Sequence, residues 1–350
     1  MSGARAELVA VARRIYDQAA HGRNAVSAVR RLRRSSNLAG AVAARDPRAV
    51  RAVLTPLLKH QITRIQVTAG SRTLARIGSA PAYAPIRGTI RSGRHIVGHY
   101  VLAVSDSRAF QGLARSLIGA TARFVRGTGP ASDPASGASF KAMLFPSRRA
   151  TISLTLPSLP PSLCGATPAE TRLNAIAYAA RNLMQGEAHG SAVARTLHRA
   201  AADPAFRSAV VAGDPAALRT AIVGLFRDHR FHIVRVRAWQ GTRLINDVGG
   251  PYVLSPATGT ISRPGGAVAG RFMLSVQDDT GFIKLVHRFT GADVVLHTST
   301  GTVPGSNLSP GPAFVPGVST VTYHGVAYHS YGFTGTAFPS GTLDVTLLMR

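Results

Sequence analysis

Arg235 and Arg237 stand two residues apart in the alternating segment FHIVRVRAW, so on an extended strand they share one face. A guanidinium offers a rigid fork of N–H donors that grips a carboxylate through two bonds at once. An arginine pair on a sheet face is therefore a candidate anchor for a small acid. Asp247 and Asp278 lie downstream and can take an amine, while Trp239, Tyr252, Tyr323 and Tyr331 supply flat rings for stacking. Together these residues would hold a small carboxylate or amino acid. Each also has a structural reading: an ion-paired arginine on a half-exposed sheet, an aspartate capping a helix, aromatic pairs stabilising neighbouring strands. Both readings stay open at this level.

Other chemistries find less support. The glycines of GGAVAG (265–270) resemble a phosphate-binding loop, but Arg271 and Phe272 follow where a Lys-Ser/Thr pair would have to stand. The segment also leads into a strand, whereas a phosphate loop needs the amides of a helix N-terminus. Asp278 and Asp279 form a carboxylate pair suited to acid–base or metal work, at a strand-to-helix junction where Asp also caps. His95 and His99 of HIVGH would share a strand face about 13 Å apart, too far for one ion. His229 and His232 of HRFH would point to opposite faces of a strand. With no HExxH motif, no G-x-S-x-G elbow, and Cys164 alone in a proline-rich stretch, neither metal, cofactor nor catalytic group is expected. The chain reads as a binding protein and not an enzyme.

The 350 residues are 45% hydrophobic with a mean hydropathy of +0.10, which indicates folded material with room for two domains. A formal charge of +26 is of the size carried by nucleic-acid binders. Its make-up points elsewhere: 38 arginines stand against three lysines, amid abundant Ala, Gly, Pro and Val, the signature of GC-rich coding. The densest basic cluster, RRLRR (30–34), continues an amphipathic helical pattern whose basic face would be solvated. A basic nucleic-acid- or anionic-surface-binding protein is the alternative function, and nucleic acid is not the expected partner. A single cysteine excludes an intrachain disulfide framework. No apolar run reaches the roughly 18 residues of a membrane span, and MSGARAELVAVARR lacks the regions of a secretory signal.

The elements that must position these residues occur twice. LVAVARRIYDQAAHG (8–22) aligns with IAYAARNLMQGEAHG (176–190), so that Ala12, Arg13, Ala20, His21 and Gly22 meet Ala180, Arg181, Ala188, His189 and Gly190. Further on, Arg64 meets Arg235. Gly78, Pro85, Gly88 and Thr89 meet Gly249, Pro256, Gly259 and Thr260. Gly98, Asp106, Phe110 and Gly119 meet Gly270, Asp278, Phe282 and Gly291, and FPS (145–147) meets FPS (338–340). The chain is thus two copies of one domain, residues 1–158 and 170–350, joined by a proline-rich connector over 159–169. Copy one has the degenerate C-terminal part, filled by GTGPASDPASGAS (127–139).

Within each copy a long helical region precedes period-two segments. IVRVRAWQGTRLINDVGG reads as strand, glycine turn, second strand and loop; GRFMLSVQDD as a strand ending in Asp; GFIKLVHRFTG as a short helix; VSTVTYHGVAYHSYGF as a hairpin; TLDVTLLM as a closing strand. The apolar side of the first strand is expected to pack on the N-terminal helix. This order resembles the Cache (PAS-like, PDC-type) sensor domain. The resemblance implies an α+β fold of two Cache domains, each a long N-terminal helix packed on an antiparallel sheet with a short helix. It further implies non-catalytic sensing of a small carboxylate or amino acid, an extracytoplasmic location and a membrane-bound signalling partner. The chain departs from that pattern in showing neither a signal peptide nor a transmembrane helix, nor a signalling output domain. Copy two, with its loop and hairpin intact, is the expected ligand holder.

Overall fold

A computed structural model describes residues 2–58, 62–78, 81–127, 137–228, 232–251, 253–263, 265–299, 301–303, 308 and 310–350. The chain is α+β and divides into two compact units, Met1–Pro161 and Ser162–Arg350.

Unit 1 opens on α1 (Ser2–His21), whose Leu8, Val11, Ala12, Ile15 and Ala19 recur at helical spacing and are buried. Next come α2 (Arg23–Arg33), α3 (Ser36–Ala43) and α4 (Pro47–Leu58). Ser35 caps α3 by accepting the Leu38 amide at 3.2 Å, and Asp46 accepts the Arg48 amide at 2.8 Å at the start of α4. β1 (Arg64–Ala69), β2 (Arg72–Ile77), β3 (Ile86–Ser92) and β4 (His95–Ala103) form an antiparallel sheet in the order β2-β1-β4-β3. After α5 (Ser107–Ile118), β5 (Thr121–Arg126), β6 (Gly137–Leu144) and β7 (Arg148–Thr155) form a separate sheet in the order β5-β7-β6.

Unit 2 repeats the plan with α6 (Pro168–His189), α7 (Ser191–Ala202), α8 (Pro204–Ala212) and α9 (Pro215–Arg227). Three of these start at proline behind a capping Thr167, Asp203 or Asp214, the arrangement in which a fixed φ and a side-chain acceptor both favour a first turn. β8 (Arg235–Gln240), β9 (Arg243–Gly249), β11 (Ala257–Ser262) and β12 (Val268–Ser275) make the sheet β11-β12-β8-β9, with β10 (Val253–Leu254) and β13 (Gln277–Asp278) paired beside it. α10 (Asp279–Thr290) then leads to β14 (Asp293–Thr298), β15 (Gly301–Thr302), β16 (Gly317–Tyr323), β17 (Val326–Thr336) and β18 (Thr342–Met349), ordered β15-β14-β18-β17-β16.

Two expectations need correction. Each unit holds two principal antiparallel sheets where the sequence suggested one, because the strands after the short helix pair among themselves and not with the first four. The apolar side of β8 also packs elsewhere than on the long helix. Val236 and Ala238 share a core with Val193, Phe206, Val210, Leu218 and Ile222 of α7, α8 and α9. The long helix α6 instead lies on β17, as α1 lies on β6 in unit 1.

The two units correspond bond for bond at several points. The Ala84 amide donates to Met143 O at 3.0 Å, as the Ser255 amide does to Thr336 O at 3.1 Å. Phe145 N reaches Ala82 O at 2.9 Å, as Phe338 N reaches Val253 O at 3.1 Å. The matched glycines share one cause. A Cβ on Gly98 would lie 2.6 Å from Val42 Cγ1 of α3, and one on Gly270 would lie 2.6 Å from Val210 Cγ1 of α8. Only glycine lets the helix pack this close to the sheet. Among the described residues the second sheets differ, with three strands in unit 1 and five in unit 2, and much of the 127–139 segment falls outside those residues.

Candidate functional site

The arginine face of β8 is assembled, but its groups are turned on one another. Arg235 Nε and Nη2 donate to the two carboxylate oxygens of Asp247 on β9, both at 2.8 Å. Its Nη1 reaches the carbonyls of Gly250 and Pro251 at 3.2 and 3.3 Å, and its guanidinium lies 4.9 Å from the Phe338 ring centroid. Arg237 Nε sits 3.7 Å from Asp247 Oδ2, and its guanidinium lies over Trp239, which Arg271 also covers. The bidentate fork assigned on sequence to a ligand is therefore filled by Asp247. The matched Arg64 of unit 1 likewise lies over Phe145, at 5.0 Å. What both copies retain here is an arginine that joins the first sheet to the end of the second.

The remaining sequence candidates separate. Asp278 caps α10, its side chain accepting the Gly281 amide, as Asp106 caps α5 through the Ala109 amide at 2.9 Å. Asp279 is buried in the first turn of α10, and its carboxyl is pushed up by burial with a smaller push from Asp278. Tyr323 and Tyr331 lie on opposite faces of the second sheet. Tyr323 packs with Tyr328, Val295 and Leu348, and its hydroxyl accepts the Gly311 amide at 3.3 Å. Tyr331 faces α6, where Arg181 lies 5.1 Å from its ring centroid. Tyr252 lies outside the described residues. The first half of GGAVAG lies in the turn between β11 and β12, with Gly265 and Gly266 at φ of +93° and +90°, and its second half opens β12 and not a helix. Among the described residues no group of three or more His, Cys, Asp or Glu is placed to hold a metal ion.

The structure instead opens a cavity of about 440 Å³ between α6 and β17, a size suited to a small metabolite. Arg181, Gln185 and His189 line it from α6, and Phe333, Thr334 and Thr336 from β17. Ser255 and Pro256 close one side, the Ser255 hydroxyl donating to Met184 O at 3.0 Å. Arg181 lies over two rings, Tyr331 and Phe333, each at 5.1 Å, and among the described residues no carboxylate pairs with it. Aromatic faces hold a guanidinium in place without neutralising it, so its donors remain available to an anion. Glu187, six residues further along α6, is half-buried and its carboxyl is pushed up by burial, against a smaller opposing pull from His232. Arg181 was absent from the candidates drawn from motif chemistry. Its signal was the duplication, which keeps an Arg, an Ala and a His at these places in both copies.

Among the described residues no helix is long and apolar enough to cross a membrane. Compared with known proteins, the chain matches no protein-family model and no curated protein.

Proposed function

We propose that the protein is a non-catalytic sensing module that binds a small anionic or zwitterionic metabolite, a carboxylate or an amino acid, in unit 2. The observation that carries this reading is Arg181, an arginine without a carboxylate partner among the described residues, on the wall of the cavity between α6 and β17. Arg181 takes the carboxylate, and Gln185 on the same helix supplies a further polar contact. A tandem Cache-like architecture is consistent with the order of long helix, hairpin, capped short helix and closing hairpin in unit 2. In that reading a membrane-bound partner receives the signal outside the cytoplasm. The test is a thermal-shift and calorimetric screen of amino acids and organic acids on wild type and Arg181→Met. Binding raises the melting temperature by mass action. Loss of that rise in Arg181→Met supports the reading, and a screen in which no acid moves the wild type removes it.

One observation favours a second reading, a polyanion binder. Residues 18–45 of unit 1 carry six arginines and no Asp or Glu, whereas the aligned 186–213 stretch carries three arginines with Glu187 and Asp203. Coding bias acts on both copies alike, so it does not explain the difference. This reading predicts affinity for unrelated DNA that falls linearly on a log–log salt plot, lost on reversing Arg30 and Arg33.

A further inference from the structure

Unit 1 contains the same site with a side chain already in it. Five residues that line the unit 2 cavity keep their type at the matched positions of unit 1. Arg13 lies over Phe140 at 5.7 Å as Arg181 lies over Phe333 at 5.1 Å, and Ala20, His21 and Pro85 stand where Ala188, His189 and Pro256 stand. The backbone bond between Ala84 N and Met143 O matches that between Ser255 N and Thr336 O, so the two frames are built alike. Ala84 and Ser255 even share a left-handed φ, +49° and +52°.

The difference that fills the space is on the long helix, although Gln185, Ser255, Thr334, Gly335 and Thr336 also replace Asp17, Ala84, Lys141, Ala142 and Met143. Unit 1 has Tyr16 where unit 2 has Met184. The Tyr16 ring stacks on Tyr83 with centroids 5.6 Å apart and meets Phe140 edge-on at 6.1 Å. Its hydroxyl accepts the Met143 amide at 2.8 Å. Unit 2 has Leu254 in place of Tyr83 and Gly335 in place of Ala142, so a narrower, buried Met184 stands where the plug stands and its stacking partner is missing. A Cβ on Gly335 would collide with Met184 Sδ, so the thioether already lies against the strand there.

We infer that the unit 2 cavity takes a ligand with an aromatic ring and a carboxylate, an aryl acid, whose ring packs beside Met184 and Phe333 in the space that the wider Tyr16 side chain fills in unit 1. Phe333 meets that ring as Phe140 meets Tyr16, the Thr336 amide occupies the place of the Met143 amide, and Arg181 receives the carboxylate. This rests on the reading of unit 2 as an anion-binding module and names its substrate class.

The experiment measures calorimetric binding of 4-hydroxyphenylacetate, glutarate and p-cresol to the full chain, in wild type, Met184→Tyr and Arg181→Met. The aryl acid is expected to bind at least about tenfold tighter than either the aliphatic acid or the neutral phenol, since ring contact and a charge-assisted pair each contribute on that scale. Met184→Tyr, which installs the plug of unit 1, abolishes that binding, and Arg181→Met brings the aryl acid down to the level of p-cresol. Should Met184→Tyr fail to fold, Ala188→Phe fills the cavity from the next turn of α6 and must give the same loss. Glutarate binding as tightly as the aryl acid, and lost with the plug, overturns the aromatic assignment while leaving the anion reading standing. No binding by any of the three overturns both. Aryl-acid binding that survives both cavity-filling variants places it elsewhere and overturns the inference.

Discussion

Asp247→Ala tests whether the arginine face of β8 is structural. In the native fold Asp247 accepts two charge-assisted bonds from Arg235, both 2.8 Å long, and stands 3.7 Å from Arg237 Nε. The Arg235 and Asp247 side chains are 19% and 22% exposed, so solvent only partly replaces what is lost. Hydrogen bonds to charged groups contribute about 1.5–3 kcal/mol each, and their truncation leaves a desolvated guanidinium behind. Allowing for partial exposure, the loss is about 3 kcal/mol. Trp239 is the chain's single tryptophan and lies on the same strand, so its fluorescence reports unfolding of this sheet. With a urea slope of about 2–3 kcal/mol per molar, the midpoint should fall by about 1–1.5 M. Unit 1 supplies a rescue: there Gln66 and Arg76 take the places of Arg237 and Asp247, with Arg76 Nε and Nη2 both on Gln66 Oε1 at 3.1 and 2.8 Å. The double variant R237Q/D247R should therefore recover part of the loss that D247R alone incurs. A midpoint for Asp247→Ala within about 0.2 M of wild type, equivalent to about 0.5 kcal/mol, refutes the structural assignment.

Gly270→Val should cost about 1–3 kcal/mol or more by driving a side chain into Val210 and the Trp239 carbonyl, read by the same urea melt. Tyr16→Phe removes the acceptor of the Met143 amide and should lower the calorimetric stability of unit 1 by about 1–3 kcal/mol, leaving the Trp239 transition in place. Burial raises the Glu187 carboxyl above its unfolded value, so its contribution is fully present below the ordinary glutamate range and is lost as pH rises through the folded value. Glu187→Gln should therefore stabilise unit 2 at neutral pH and flatten the decline from acid to neutral, which urea midpoints across that range will show. Asp279, also raised by burial, contributes with the same sign.

Local rules made the helix boundaries legible: Asp214-Pro215, Asp106 and Asp278 all sit at caps, where side chain and backbone are neighbours in sequence. The turn at Gly325 and the strands on either side of it followed from alternation alone. The division of each copy into two sheets was not legible, because whether β14 pairs with β12 or with β18 is decided by contacts far apart in the chain. The same distance hid the cavity. Arg181 and Phe333 meet across about 150 residues, and neither belongs to a local motif. Arg235 illustrates a different failure. Its residue type and face were read correctly, but the carboxylate for its fork lay on the adjacent strand, and register cannot be counted through the bulge between Ala238 and Trp239. Comparing the two copies did match Arg13 with Arg181, since both stand in the aligned helical segments.

The ring of Phe338 under Arg235 has an optical consequence. β17 carries Thr334 and Thr336 at the cavity wall, and two residues beyond Thr336 the chain reaches Phe338. A ligand that shifts the end of β17 thus displaces the seat of the Arg235 guanidinium, and Arg237 and Trp239 follow along the same face of β8. If the proposed ligand binds there, its occupancy should change the emission of the folded protein with no added label.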